Sequence, residues 1–117
     1  MIVWRVEHRS SREGPYTRYG EKLYRMGSAH SNPNSHPNTS RDGLCDHFPS
    51  DRRHGFDCEE AMLRWFQGYG EALVEEGFMA TRYEVPDEFV KVGRSGKQCV
   101  FQASAAREVS QHHIDWR

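Results

Sequence analysis

Apolar residues are scarce in this chain, and the scarcity is local. Only 36% of the 117 residues are hydrophobic, below the usual share for a globular domain. Between Gly27 and Gly55, only Ala29, Leu44, Cys45 and Phe48 interrupt a run of Ser, Asn, Pro, Asp, Arg and His. A stretch of that length without regular structure is uncommon in a compact domain unless it is functional or disordered. Cysteine is also sparse. Cys45, Cys58 and Cys99 are odd in number, which argues against the disulfide framework of a small secreted domain. No apolar run approaches the roughly 20 residues that span a bilayer, and Met1–Val6 is too short an apolar run for a signal peptide. These absences lead us to expect one domain, 1–117, working in a reducing cytoplasm with no membrane partner.

An excess of either charge is missing as well. The net charge is −1, so nothing draws the whole molecule to nucleic acid. The sign does shift along the chain, from +3 over residues 1–56 to −4 over residues 57–117. A basic stretch, Arg9, Arg12, Arg18, Lys22 and Arg25, is interleaved with Tyr16, Tyr19 and Tyr24, as a single-strand binder would require. Glu13 and Glu21 dilute it, so nucleic acid is not the expected partner. Gly93-x-x-Gly96 with Lys97 lacks the Ser/Thr and following helix of a phosphate loop and reads as a turn.

Outside the gap, the pattern is foldable. Ile2–His8 alternates with period two, as a strand does. Gly14–Pro15 marks a turn, and residues 21–26 suit one short helical turn. Asp57 followed by Glu60 has capping-box spacing. Met62, Leu63, Trp65, Phe66 and Tyr69 then form a helical stripe. Gly68 and Gly70 bend or end that helix, and a second turn, 71–76, closes at Gly77. Residues 78–85 read as a strand stopped by Pro86, and 89–92 with 97–102 as a hairpin. Residues 103–113 suggest a terminal helix capped by Ser104. The expected class is α+β: a small antiparallel sheet packed against one main helix, with a long polar loop, 27–55, between the first strand and that helix.

Two constellations could carry chemistry, a metal site and a nucleophilic dyad of Cys45 with His47 or of Cys99 with a remote His. Cys45, His47, His54 and Cys58 supply two thiolates and two imidazoles, the ligand types of tetrahedral zinc, and ligation would order a segment that burial cannot. The competing reading is solvated loop histidines with half-buried thiols. Cys99, in a strand, reads as a small core residue rather than a nucleophile.

Short motifs spread over most of the chain carry a resemblance. They are Val3-Trp4-Arg5-Val6-Glu7-His8, Gly14-Pro15-Tyr16, His54-Gly55-Phe56, Leu63-Arg64-Trp65-Phe66, Gly77-Phe78, Tyr83-Glu84-Val85 and Gln98-Cys99-Val100-Phe101. Together they resemble small proteins of bacteriophages and prophages, which implies a bacterial host cytoplasm and an accessory role. A more distant similarity is to ADP-ribosyltransferases. It implies an NAD pocket lined by Arg5, His8 and Gln98, with Tyr83 at the middle position, but Gln98 stands where that family has the glutamate that stabilises a developing cation. The leading expectation is therefore a binder of a host bacterial protein, acting as a modulator or as an inhibitor of a defence system such as CRISPR. Its expected contacts are Tyr16, Arg18, Tyr19, Arg41, Arg52 and Arg53, because Tyr and Arg dominate interface energetics. An NAD-using enzyme and a zinc-stabilised module are the alternatives.

Overall fold

The first strand is covered on both faces. β1 (Ile2–His8) buries Val6 among one set of apolar side chains and Val3 among another. Successive strand side chains point to opposite faces, so β1 is a wall shared by two cores. The structure, a computed structural model, describes residues 1–16, 20–113 and 116. After β1 come α1 (Gly20–Ala29), β2 (Arg52–Gly55), α2 (Glu59–Trp65), α3 (Gly70–Glu75), β3 (Phe78–Glu84), β4 (Val90–Val92), β5 (Cys99–Gln102) and β6 (Arg107–His112).

The class is α+β, with two three-stranded sheets ordered β1-β3-β6 and β2-β5-β4. All their strand pairs are antiparallel. β1 and β3 pair along their full length, from Ile2 opposite Glu84 to His8 opposite Phe78. The two sheets meet at one bridge: the Trp4 N–H donates to the Phe56 carbonyl at 2.8 Å, and the Phe56 N–H to the Trp4 carbonyl at 2.7 Å. Gly55 allows this approach. A Cβ there would lie 2.6 Å from Val3 Cγ1 and 2.8 Å from the Trp4 carbonyl oxygen.

One core gathers Val6, Phe78 and Ala80 from the first sheet with Leu23 and Met26 of α1, Met62 of α2 and Leu73 of α3. The other gathers Val3, Tyr83, Val85, Cys99 and Phe101. Each large side chain so buried contributes roughly 1.5–3 kcal/mol. Gly77, at φ +86°, ends α3 and donates its N–H to the Val74 carbonyl at 3.1 Å. Only glycine enters that left-handed region at little cost.

Four local expectations are corrected. The sheet is two sheets, because β2 lies inside the polar stretch and pairs with β5 from Arg52–Gln102 to Gly55–Cys99. The terminal helix is replaced by a single 3-10 turn, Ala103–Ala105, followed by β6. β6 fills the open edge of β3, and tertiary pairing there overrides local preference. The helical turn at 21–26 extends to the ten residues of α1. Asp57 is not the cap of α2: Cys58 holds that position, with no side-chain cap bond.

Candidate functional site

The polar segment is held in place by polar contacts centred on two buried side chains, Asp42 and Gln98. Asp42 is 2% exposed. Its carboxylate accepts from the Ser95 N–H at 2.7 Å, the Ser95 hydroxyl at 2.9 Å and Gln98 Nε2 at 3.1 Å. A buried carboxylate needs such donors to offset its lost hydration, and the turn after β4 supplies them. Gly93 makes room, because a Cβ there would overlap the Asp42 carboxylate. Gln98 also donates to the Pro37 carbonyl at 2.6 Å, and Lys97 Nζ to that of Asn34 at 2.6 Å. Arg52 Nη1 reaches the carbonyls of Leu44, Cys45 and His47 at 3.2, 2.8 and 3.4 Å. Leu44 is fully buried.

This arrangement frames a cleft of about 470 Å³. β1 supplies Arg5 and Val6, and the following turn supplies Gly14, Pro15 and Tyr16. Asn38 and Thr39 come from the polar segment, His54 and Gly55 from β2. Phe56, Trp65, Phe66 and Gln98 complete the lining, which among the described residues contains no carboxylate.

The aromatic wall is braced by hydrogen bonds. Trp65 Nε1 donates to the Tyr16 hydroxyl at 2.7 Å, and that hydroxyl lies 2.6 Å from His30 Nδ1. Since Tyr16 accepts from the indole, its own proton is available to His30. Burial raises the Tyr16 pKa, which keeps that proton in place. His30 is pushed down to about 4, first by desolvation and then by His36. The two imidazoles stack with centroids 3.8 Å apart and planes 12° from parallel. His36 Nε2 lies 2.8 Å from the Trp65 carbonyl; a carbonyl only accepts, so that nitrogen carries the proton.

Beneath the cleft lies a buried ionic group. Glu7 is fully buried and accepts from the Tyr83 hydroxyl at 2.6 Å. Arg5 Nε is 3.7 Å from Glu7 Oε1, and Arg12 Nη1 is 3.6 Å from Oε2 and 2.6 Å from Glu108. Burial lowers the Arg5 pKa, Glu7 opposes that shift, and Arg53 adds to it.

The structure brings Arg5 and Gln98 together in the cleft and leaves His8 elsewhere. His8 Nδ1 accepts from the Ser10 N–H at 3.1 Å, and its ring meets Phe78 edge-on at 5.4 Å. Of the expected contact residues, Tyr16 borders the cleft, Arg41 is exposed, Arg53 is half-buried near Arg5 and Arg52 is engaged by carbonyls. Arg18 and Tyr19 lie outside the described residues. Cys45 and Cys58 are exposed. Among the described residues no three His, Cys, Asp or Glu side chains gather as a metal site, so Cys45, His47, His54 and Cys58 do not converge. Trp65, Asn38 and Thr39 were not expected in a site. Trp65 reads in sequence as one more apolar residue of a helical stripe, and Asn38-Thr39 as turn residues.

The family model of the bacteriophage T4 Y00F protein matches residues 1–115. The chain belongs to that family, and is a phage protein. No curated protein and no solved structure matches it, and the likeness to ADP-ribosyltransferases does not appear in these comparisons. No helix among the described residues is long and apolar enough to cross a membrane.

Proposed function

We propose that this member of the bacteriophage T4 Y00F protein family is a non-enzymatic accessory protein that binds a host bacterial protein and modulates or inhibits it. A component of a defence system such as CRISPR is the most specific target of this reading. One observation carries it: polar contacts centred on the buried Asp42 and Gln98 are committed to holding a polar surface still. Asp42 and Gln98 pin the segment from inside and Arg52 and Lys97 from its margin, while Asn32, Asn34, Asn38, Arg41 and Asp46 stand exposed along it. Fixing a recognition surface in advance lowers the ordering cost of association. Arginine and tyrosine, here Arg41 and the half-exposed Tyr16, are the side chains that most often anchor interfaces.

The test is affinity purification from bacterial lysate with mass-spectrometric identification, followed by titration of the recovered partner. Arg41→Glu is expected to weaken that partner at least about tenfold, as a charge reversal inside an interface does, with the melting temperature unchanged. Failure to recover any stoichiometric host protein contradicts the reading, as does full affinity in a double variant, Arg41→Glu with Tyr16→Ala.

A further inference from the structure

The cleft holds a cation whose hydrogen bonding is incomplete. The Arg5 side chain is 11% exposed. Nη1 donates to the His54 carbonyl at 2.8 Å. Nε is buried and has no hydrogen-bond partner. Its nearest acid, Glu7 Oε1 at 3.7 Å, is beyond hydrogen-bond reach and already receives the Tyr83 hydroxyl. Nη2 lies beside Gly14, 3.6 Å from where a Cβ would sit on that residue. Nε faces the buried Glu7, so Nη2, beside the cleft-lining Gly14, is the donor an incoming anion would meet, and a charged donor on an anion makes one of the stronger hydrogen bonds.

Other donors line the same cleft. The side-chain oxygen of Asn38 accepts the Arg41 N–H at 2.8 Å, which leaves its NH₂ to donate. Thr39 adds a hydroxyl. Desolvation, then Arg5 and Arg52, lowers the His54 pKa, and its imidazole N–H adds a further donor to the lining. Among the described residues no acid on the lining repels an anion. Four aromatic side chains share the lining: Tyr16, Phe56, Trp65 and Phe66. The volume, about 470 Å³, lies in the range of small-ligand sites, roughly 300–1,000 Å³.

The geometry points to a binding site for a planar ring that carries one phosphate, the nucleoside monophosphate class, with the phosphate on Arg5 and the ring against the Tyr16–Trp65 wall. A single available guanidinium matches one phosphate rather than a triphosphate chain, and aromatic faces accept any base by stacking. This assignment goes beyond host-protein docking: it shares Tyr16, Asn38 and the ordered polar segment with that reading, whereas Arg5, Thr39 and His54 belong to the anion site alone.

Isothermal titration of the full chain tests it with four probes: AMP, adenosine, ribose 5-phosphate and inorganic phosphate. AMP is expected to bind saturably, at least about tenfold more tightly than any of the other three, each of which lacks the ring or the charge. Arg5→Gln is expected to lose at least about tenfold in AMP affinity, and Arg5→Lys less, because it restores charge without the planar fork. If Arg5→Gln does not fold, Thr39→Val and His54→Ala serve instead, each expected to weaken AMP several-fold. Equal affinity for adenosine and AMP removes the anion site. Equal affinity for AMP and either ring-free phosphate removes the aromatic wall. The absence of binding by AMP at millimolar concentration, or unchanged affinity in these variants, overturns the assignment.

Discussion

Tyr83 donates its hydroxyl proton to Glu7 Oε1 at 2.6 Å, across a separation of 76 positions in the chain. Glu7 is fully buried on β1 and Tyr83 is 7% exposed on β3. The bond completes a group in which two arginines approach Glu7 without hydrogen-bonding it, at 3.7 and 3.6 Å. Glu7 therefore relies on Tyr83 for its one close donor, and the cleft rests on that pair through Arg5.

Replacing Tyr83 by Phe leaves a buried carboxylate oxygen without its donor. The expected cost is about 1–3 kcal/mol, read as a lower urea midpoint. The pH dependence has a defined sign. Burial first, and Glu7 second, raise the Tyr83 pKa from 10.0 to about 12, so the folded state holds this proton more tightly than the unfolded chain. The stabilisation is complete below pH 10 and disappears as pH rises through 12. Denaturation profiles of the Phe variant should be flatter across that window, and an unchanged slope would contradict the assignment.

His30 gives the opposite dependence. Its pKa falls from 6.5 to about 4, so folding favours the neutral ring. That contribution is present above pH 6.5 and is lost as pH falls towards 4. The imidazole resonance of His30 should titrate near pH 4 by NMR, with His30→Phe removing that transition. A midpoint near 6.5 would mean that the stack with His36 and the hydrogen bond with Tyr16 do not persist in solution.

Asp42 and Gly93 form a matched pair, since the carboxylate of one occupies the space that a side chain on the other would need. Asp42→Ala leaves the Ser95 N–H and the Gln98 amide short of an acceptor. It is expected to destabilise by about 2–4 kcal/mol. Gly93→Ala displaces the same carboxylate and should act in the same direction. Chemical denaturation checks both, and changes under about 0.5 kcal/mol, the scale of neutral surface substitutions, would contradict the role given to Asp42.

Much of the frame is legible in the chain because local chemistry dictates it. The alternation of Ile2–His8 gives β1, Gly77 stops α3, and the Gly93–Gly96 turn joins β4 to β5. Other parts depend on distant partners. Arg52-Arg53-His54-Gly55 has no apolar alternation, and β2 exists because its backbone pairs with β5. Residues 107–112 are mostly polar, and the free edge of β3 selects them as a strand. Asp42 reads locally as a turn former, and its burial requires Ser95 and Gln98 to arrive from the opposite end of the chain. The cleft is hidden for the same reason. Arg5, Tyr16, Thr39, His54 and Trp65 share no motif, and only the meeting of the two sheets at Trp4 and Phe56 brings them together.

The ordered polar segment is the claim on which both functional readings rest, and amide hydrogen exchange measures it directly. The Leu44 N–H is bonded to the Thr39 carbonyl at 2.8 Å, the Asp42 N–H to that of Asn38 at 3.0 Å, and the Ser95 N–H to the Asp42 carboxylate. These amides should exchange far more slowly than unstructured ones, and Asp42→Ala should accelerate all three. Exchange at the rate of an unfolded peptide throughout residues 28–51 of the unaltered protein would contradict the account.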